Sequence, residues 1–280
     1  YEGVEVEGTL KGLITYMRTD SLRLSPEAKE MAKNFIFEKY GEKYWGNEVE
    51  KKDKNAKKIQ DAHEAIRPTD VYLIPNEIKK FLNEDQYKLY KLIWERFLIS
   101  QFAKMEYEQF EILSEYDNYE SRGAANKNTF DGYYKIFKDE DEIKTIDFPA
   151  INVGDKFDLM KLNIVEGETK PPAKLTESTL VKKLEADGIG RPSTYASIID
   201  TLKKREYVIL DGKKFTPTEL GYEIKNILEK NFPNIMNIKF TAEMEEKLDH
   251  IEEGELQWKK VLKEFYDDLE KYLKVFRQYF

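Results

Sequence analysis

The sequence contains no cysteine and only two histidines, His63 and His250. The absence of cysteine excludes disulfide scaffolds, thiolate metal sites and cysteine nucleophiles. Two histidines are too few for a histidine-rich metal centre. These two scarcities exclude thiol chemistry and histidine-rich metal centres from the functions that this chain can have.

Long apolar runs are also missing. No stretch of eighteen apolar residues occurs, so the sequence predicts no membrane-spanning helix. The opening residues, YEGVEVEG, have neither a positive nor an apolar region and do not resemble a signal peptide. Because an initiator methionine is lacking, we expect a piece of a longer polypeptide. Without a signal peptide or a membrane-spanning run, the expected location is the cytoplasm.

The balance of charge is acidic, but the charges are unevenly distributed. The 46 basic and 54 acidic side chains give a formal charge of −8, which argues against a uniformly basic nucleic-acid-binding surface. Residues 170–205 carry eight basic and four acidic side chains, whereas residues 219–280 carry ten basic and fourteen acidic ones. A local basic surface in the first of these ranges is therefore compatible with nucleic-acid binding.

The 280 residues predict two or three domains, at roughly 100–200 residues per domain. Residues 1–105 have the pattern of a mostly helical domain. Ser25 and Pro26 are typical of a helix start, and that helix is expected to end at Gly41. A second, longer helical stretch is predicted at 76–103 from its apolar spacing.

A change of composition near residue 106 predicts a small antiparallel β domain at 106–168. Its predicted strands are 107–115, 130–137 and 156–165. The acidic run 139–142 resembles a carboxylate metal site, but such runs are usually solvated. We therefore assign no metal ligand in this chain.

Residues 169–280 predict a helical C-terminal domain that resembles a winged helix, because helix, turn, helix and hairpin follow one another. The residues that mark its helix ends and turns are Thr176, Gly188, Pro192, Arg205, Asp211, Gly212, Thr218 and Thr241. An amphipathic helix is predicted at 257–280. The expected fold class is α+β, predominantly helical and multi-domain, with a small antiparallel β domain and a winged-helix-like C-terminal part.

Three segments can carry chemistry, and the first is ITYMRTDS at 14–21. The phenol of Tyr16 can attack a phosphodiester and form a covalent phosphotyrosine. Arg18 would offset the negative charge that builds up on the phosphoryl oxygens, and in an extended segment it shares a face with Tyr16. Alternatively, Tyr16 is one of eighteen tyrosines and packs on an ordinary half-buried strand.

The second segment is AHEAIRPTD at 62–70. If it forms a helical turn, His63 and Arg67 stand on the same side and can hold a phosphate. The alternative is a structural ion pair between Glu64 and Arg67.

The third segment is DGIGRPSTYAS at 187–197. Its two glycines allow a backbone to approach closely, and Arg191, Ser193 and Thr194 offer donors to a phosphate. The alternative is a plain turn between two helices.

Together these segments resemble the type IA DNA topoisomerases, in the bacterial topoisomerase I branch. The five blocks that carry the resemblance are GLITYMRTDS (12–21), AHEAIRPTD (62–70), LYKLIWERFLISQ (89–101), KPPAKLTESTLV (170–181) and LVKKLEADGIGRPSTYASII (180–199). They occur in the family's order and extend over nearly the whole chain. The resemblance implies an ATP-independent enzyme that relaxes negatively supercoiled DNA by cutting one strand, passing another through and resealing the cut.

The resemblance also implies roles for individual residues. Tyr16 is the expected nucleophile, which joins the 5′ end of the cut strand, and Arg18 the arginine that places the phosphate. The expected DNA-binding residues are Thr15, His63, Arg67, Arg191, Ser193, Thr194 and Arg205. The family motif at the last of these is Arg-Gly-Tyr-Val, whereas this chain has a glutamate, Glu206, in place of the glycine.

The family holds Mg²⁺ in an N-terminal Toprim domain, and nothing before Tyr16 is long enough to be that domain. Zinc-ribbon sequences, which many members carry at the C-terminus, are absent as well. We therefore expect a monomeric central piece with no cofactor of its own, which binds single-stranded or negatively supercoiled DNA and pairs with the Toprim domain of the same polypeptide. The chain is expected to associate with the nucleoid and not with a membrane. The alternative is a non-catalytic winged-helix module that binds nucleic acid.

Overall fold

The computed structural model describes residues 1–46, 63–137 and 148–277. About 46% of the described residues are helical, and they also form three two-stranded antiparallel sheets. These elements confirm the predicted α+β, mainly helical class. None of the described helices combines the length and apolar character needed to cross a bilayer.

The chain divides into two compact units, Tyr1–Asn163 and Ile164–Phe280. The boundary lies close to the predicted one after residue 168. Whether residues 106–168 form a domain of their own stays a prediction. The acidic run 139–142 lies outside the described residues.

The first unit opens with a short hairpin of β1 (Val4–Val6) and β2 (Thr9–Lys11), followed by α1 (Pro26–Tyr40). The Ser25 hydroxyl accepts a hydrogen bond from the backbone N–H of Ala28 at 3.2 Å, which satisfies a donor at the start of α1. Gly41 ends the helix with φ of 97°, a conformation that favours glycine. The predicted boundaries of this helix are confirmed.

The helix predicted at 76–103 is interrupted. A short α2 (Pro75–Ile78) and a 3₁₀ turn precede α3 (Glu84–Gln101). The prediction of one continuous helix was wrong because Asn83 and Gln86 exchange side-chain to backbone hydrogen bonds, at 2.9 and 3.0 Å. This capping box starts a new helix within the apolar pattern.

One hydrophobic core holds the first unit together. Its fully buried members come from β1, α1, α3 and the segment before α2, and they are joined by buried aromatic side chains. Trp94 Nε1 donates to the carbonyl of Val71 at 2.9 Å, and the Tyr90 hydroxyl donates to the carbonyl of Leu73 at 2.8 Å. Because the polar ends of both rings are bonded, they can lie inside an apolar core without penalty.

A long hairpin of β3 (Glu106–Tyr116) and β4 (Tyr119–Phe130) follows. The strand predicted at 107–115 is confirmed. The strand predicted at 130–137 is instead a 3₁₀ turn at Gly132–Ile136, and residues 156–165 pair with no strand among the described residues. The true partner, β4, escaped prediction because its sequence, YESRGAANKNTF, lacks the apolar alternation on which such predictions rely.

The second unit contains α4 (Glu177–Ala186), α5 (Tyr195–Lys204) and a hairpin of β5 (Val208–Asp211) and β6 (Lys214–Pro217). Thr176 caps α4 as predicted, through the N–H of Thr179 at 3.2 Å. The hairpin at Asp211-Gly212 is confirmed. Pro192, however, lies in the turn before α5 and does not open that helix.

Three further helices complete the unit: α6 (Glu219–Asn231), α7 (Ile238–Glu252) and α8 (Trp258–Phe276). Thr218 caps α6 as predicted. Asn237 caps α7, so the prediction that Thr241 does so was wrong. The predicted amphipathic helix at 257–280 corresponds to α8.

Candidate active site and nucleic-acid-binding turn

The segment that carries Tyr16 is held by antiparallel pairing with the segment that carries His63. Thr15 donates its N–H to the carbonyl of Arg67 at 3.0 Å, and Thr69 donates to the carbonyl of Leu13 at 3.0 Å. Residues 63–67 are not helical, so the helical turn considered in the sequence analysis is not formed there. The backbone N–H and C=O groups bond across to the neighbouring segment instead of along a helix.

The Thr15 side chain fastens this pairing. Its hydroxyl donates to the carbonyl of Ala65 at 2.8 Å and accepts from the N–H of Arg67 at 3.0 Å. Both functions of the hydroxyl are used internally, so the observed contribution of Thr15 is to hold the two segments in register. The DNA contact expected from Thr15 stays a prediction.

Tyr16 lies in a small group of aromatic rings. Its ring stacks on His63, with centroids 4.8 Å apart and planes inclined by 26°. Tyr1 contacts the same ring nearly at right angles, at 5.5 Å and 68°. The half-buried Tyr16 ring is thus oriented by two aromatic neighbours. The sequence analysis did not single out Tyr1, because no spacing rule links it to Tyr16.

The phenol oxygen of Tyr16 reaches solvent. It makes no hydrogen bond within the described part of the chain, and no buried side-chain oxygen there lacks a partner. Tyr90 is the opposite case, because burial and, secondarily, the carboxylate of Asp70 raise the pKa of Tyr90 well above its ordinary value. Tyr16 can therefore meet a ligand, whereas Tyr90 is a packing residue.

Arg18 is exposed and forms no ion pair with the described residues. The backbone bends at Met17 and Arg18, so the extended segment assumed in the sequence analysis does not continue past Tyr16. Arg18, two residues after Tyr16 in the chain, therefore retains all its donors for an anion.

Arg67 is engaged internally. Its guanidinium donates to both carboxylate oxygens of Glu64, at 2.9 Å each, and to the carbonyl of Pro68 at 2.9 Å. The side chains of Arg67 and Glu64 are only 12% and 28% exposed. The structural ion pair considered in the sequence analysis is therefore present, and the DNA contact expected from Arg67 stays a prediction.

The second candidate site is the turn between α4 and α5. Gly188 and Gly190 have φ of 72° and 78°, in the left-handed region that glycine adopts most readily. The Thr194 hydroxyl accepts from the N–H of Arg191 at 2.9 Å, which shapes the last part of the turn. Ser193 is exposed, and its hydroxyl has no partner among the described residues.

Arg191 is held by carboxylates from α7. Its Nη2 lies 2.8 Å from both carboxylate oxygens of Asp249, and its Nη1 lies 3.5 Å from Glu245. Glu245 also accepts from the N–H of Gly190 at 3.1 Å. Partial burial alone would lower the pKa of Arg191, but Asp249 and then Glu245 outweigh it and raise that pKa. The sequence analysis missed both acidic residues.

Comparison with known proteins identifies the family of this chain. A family model described as DNA topoisomerase matches residues 1–263. The chain belongs to the type IA DNA topoisomerases. Within that family it falls in the bacterial topoisomerase I branch, as the sequence resemblance implied.

Two curated relatives are similar over almost the whole chain. DNA topoisomerase 1 of Thermotoga maritima is 46% identical over 269 residues, covering 95% of this chain and 42% of the relative. DNA topoisomerase 1 of Fervidobacterium islandicum is 42% identical over 279 residues, covering 97% and 40%. The chain therefore spans less than half the length of the curated relatives that it matches.

A solved structure is similar as well. The full-length topoisomerase I from Thermotoga maritima, in a monoclinic crystal form, matches with a TM-score of 0.77 and 40% identity. The match covers 97% of this chain and 44% of that chain. Sequence and fold thus agree on the family.

The departure from the family motif near Arg205 has a structural consequence. Arg205 is exposed at the C-terminal end of α5, and Glu206 follows with φ of 56°. This is the left-handed region, where the family's glycine would be unstrained. A glutamate here keeps the turn into β5 at a cost in backbone energy.

Around Tyr16, the described residues form no group of three potential metal ligands. Among the described residues, one group of three potential metal ligands occurs, formed by His250, Glu253 and Glu255 in the second unit. There His250 Nδ1 lies 2.7 Å from a Glu255 oxygen, so the group is explained by pairing among its own members. The described residues therefore hold no unpaired set of ligands that would fit a divalent metal.

Proposed function

We propose that this chain supplies the nucleophile and part of the DNA-binding surface of an enzyme that relaxes negatively supercoiled DNA. The observation that carries the proposal is the solvent-accessible phenol of Tyr16, stacked on His63 and followed closely by the unpaired Arg18. An aromatic neighbour orients the ring, and the unpaired Arg18, two residues further along the chain, would favour the approach of a phosphodiester.

In the proposed reaction, the Tyr16 oxygen attacks the phosphorus of a phosphodiester in single-stranded DNA. A bond forms between the phenol oxygen and phosphorus, and the bond from phosphorus to the 3′ oxygen breaks. The phenol proton is lost, and the leaving oxygen gains a proton to become a 3′ hydroxyl, so the 5′ phosphate stays on Tyr16. The reverse attack by that hydroxyl reseals the strand without ATP.

Six of the other expected site residues have supporting roles in this proposal. Arg18 and His63 contact the phosphate or the nucleotide next to it. The α4–α5 turn, through Arg191, Ser193 and Thr194, binds the sugar–phosphate backbone further along the strand, with Arg205 beside it. The helix–turn–helix–hairpin formed by α4, α5, β5 and β6 would then act as a winged-helix-like binding module.

We further propose that cleavage needs a Toprim domain that holds Mg²⁺, located outside this chain in the same monomeric polypeptide. Free phenols ionise only near pH 10 and are weak nucleophiles at neutral pH. The 280-residue chain alone should therefore bind single-stranded DNA without cutting it.

The test is a covalent-adduct assay with end-labelled single-stranded DNA. We expect no labelled protein from the chain alone, but labelled protein when the chain is joined to a Toprim segment of the family in the presence of Mg²⁺. The substitution Tyr16→Phe should abolish that label, since it removes only the attacking oxygen. Label that survives Tyr16→Phe would exclude Tyr16 as the nucleophile, and a Tyr16-dependent label from the chain alone would refute the need for Toprim.

The alternative function is a nucleic-acid-binding module in which Tyr16 only packs. It predicts a phenol enclosed by apolar side chains, whereas the accessible oxygen of Tyr16 supports the catalytic role. In the joined protein, DNA binding without any adduct would favour the alternative.

A further inference from the structure

The turn between α4 and α5 lies against one face of α7. Ala242, Glu245 and Asp249 follow one another at helical spacing, so they share that face. A Cβ atom added to Gly188 would lie 3.7 Å from the Cβ of Ala242, which shows how close α7 comes to the turn. The two acidic residues of this face are therefore positioned next to the turn's donors.

These carboxylates bond to the groups that suit a phosphodiester. Glu245 accepts from the N–H of Gly190 at 3.1 Å, and both oxygens of Asp249 accept from the Arg191 guanidinium at 2.8 Å. A phosphodiester, like a carboxylate, offers two anionic oxygens that match the planar guanidinium. The same donors cannot serve both anions in this geometry.

We propose that Glu245 and Asp249 occupy the place of a DNA phosphate at the α4–α5 turn, so that single-stranded DNA must displace them from Gly190 and Arg191. The proposal rests on the proposed function, because it takes the DNA backbone as the ligand of this turn. It adds a competitor within the chain, which sets the affinity of the site.

The exposure of the ion pair supports a replaceable contact. The Arg191 side chain is 38% exposed, Asp249 43% and Glu245 26%. Water can solvate these groups once they separate, so an exposed ion pair changes an equilibrium constant by less than about an order of magnitude. A strand that offers several phosphates, and releases counterions on binding, can therefore compete successfully.

The charge distribution fits this competition. Residues 170–205, which include the turn, carry an excess of basic side chains, whereas residues 219–280, which include α7, carry an excess of acidic ones. The acidic residues thus reduce the attraction of DNA to the basic segment where they touch it. Neutralising Glu245 or Asp249 should therefore strengthen the binding of single-stranded DNA. If these carboxylates instead orient Arg191 toward DNA, neutralising them should weaken binding.

The experiment measures binding of a fluorescent oligothymidylate to the 280-residue chain by anisotropy, at one fixed, low salt concentration. The variants are Asp249→Asn and Glu245→Gln, with Glu246→Gln as the matched control. Glu246 is on α7 next to Glu245, is exposed and forms no ion pair with the described residues. The control therefore removes the same charge without touching the turn.

We expect Asp249→Asn to bind about threefold more tightly than Glu246→Gln, with Glu245→Gln in the same direction. Adding Arg191→Ala to Asp249→Asn should remove that gain, because the freed donor is then missing. Circular dichroism checks that each variant is folded, and two independent acidic substitutions keep the test valid if one of them is not.

Two results would overturn the inference: an affinity gain no larger than that of Glu246→Gln, or weaker binding after either acidic substitution. If the gain is absent but Arg191→Ala weakens binding in the otherwise unchanged chain, the competition is refuted and the proposed DNA role of the turn survives. If Arg191→Ala has no effect with or without Asp249→Asn, the proposed role of Arg191 in DNA binding fails as well.

Discussion

The two units of this chain each contain an arginine expected at DNA, and each arginine is paired with carboxylate in a different way. In the first unit, Arg67 bonds to Glu64, a neighbour in sequence, and the pair is largely buried. In the second unit, Arg191 bonds to Asp249, which lies 58 residues further along the chain on α7, and the pair is half-exposed. A buried pair is costly to break, whereas an exposed pair exchanges readily with other ions.

The Arg67 pair is therefore structural, whereas the carboxylate bound to Arg191 can be replaced by another anion. The sequence alone does not show this difference, because both arginines lie in family motifs. Glu64 also accepts from the N–H of Ser25 at 3.4 Å, so the Arg67 pair joins the start of α1 to the segment beside Tyr16. Glu245 likewise joins the Arg191 turn to α7, but the Arg191 side chain is 38% exposed, whereas that of Arg67 is 12% exposed. We therefore expect Arg67 to affect stability most and Arg191 to affect binding most.

The largest expected effect is the loss of the buried pair. Arg67→Ala should lower the free energy of unfolding of the first unit by about 2–3 kcal/mol, because Glu64 keeps a partly buried charge without its partner. Urea unfolding followed by tryptophan fluorescence measures this, since Trp94 is in the core of that unit.

Two controls sharpen the result for Arg67. Lys88→Ala removes the exposed pair with Glu84 and should cost less than about 1 kcal/mol, as should Arg191→Ala. If Arg67→Ala costs no more than these two, the contrast between buried and exposed pairs is wrong.

A smaller effect is expected from the backbone of the turn that presents Arg191. Gly190→Ala should destabilise the second unit by about 1.5 kcal/mol, because φ is positive and the new Cβ would lie 3.1 Å from the Tyr195 ring. Thermal unfolding by circular dichroism gives the value. Gly212→Ala is the matched control, with positive φ but no atom within 4 Å, and should cost about 1 kcal/mol. Equal losses would mean that the turn is not tightly packed around Gly190.

The smallest effect is a gain in stability. Glu206→Gly should stabilise the second unit by about 0.5–1 kcal/mol, because glycine relieves the positive φ at this position. Glu206→Ala, which removes the charge but keeps a Cβ, should give little or no gain. Thermal unfolding distinguishes the two, and equal gains from both variants would attribute the effect to charge and not to backbone strain.

Much of the fold was predictable because its signals are local. Ser25, Pro26 and Gly41 mark both ends of α1 within a few residues of the helix, and Thr176 and Thr218 mark the starts of α4 and α6. The family could be predicted as well, because its motifs are contiguous stretches of sequence. Predictions failed where a local signal had a competitor, as with Asn83 inside an apolar helical pattern, or where no apolar alternation existed, as in β4.

The sequence by itself determined the family, the mainly helical class, most helix boundaries and the candidate nucleophile Tyr16, because each depends on residues that are neighbours along the chain. Only the tertiary structure decided which groups meet: His63 and Tyr1 at the Tyr16 ring, and Asp249, 58 residues away, at Arg191. Packing brings such residues together through the summed contacts of whole helices and strands, and no spacing rule within a short segment contains that information. For the same reason, the sequence could name both arginines but could not tell the buried ion pair from the exposed one.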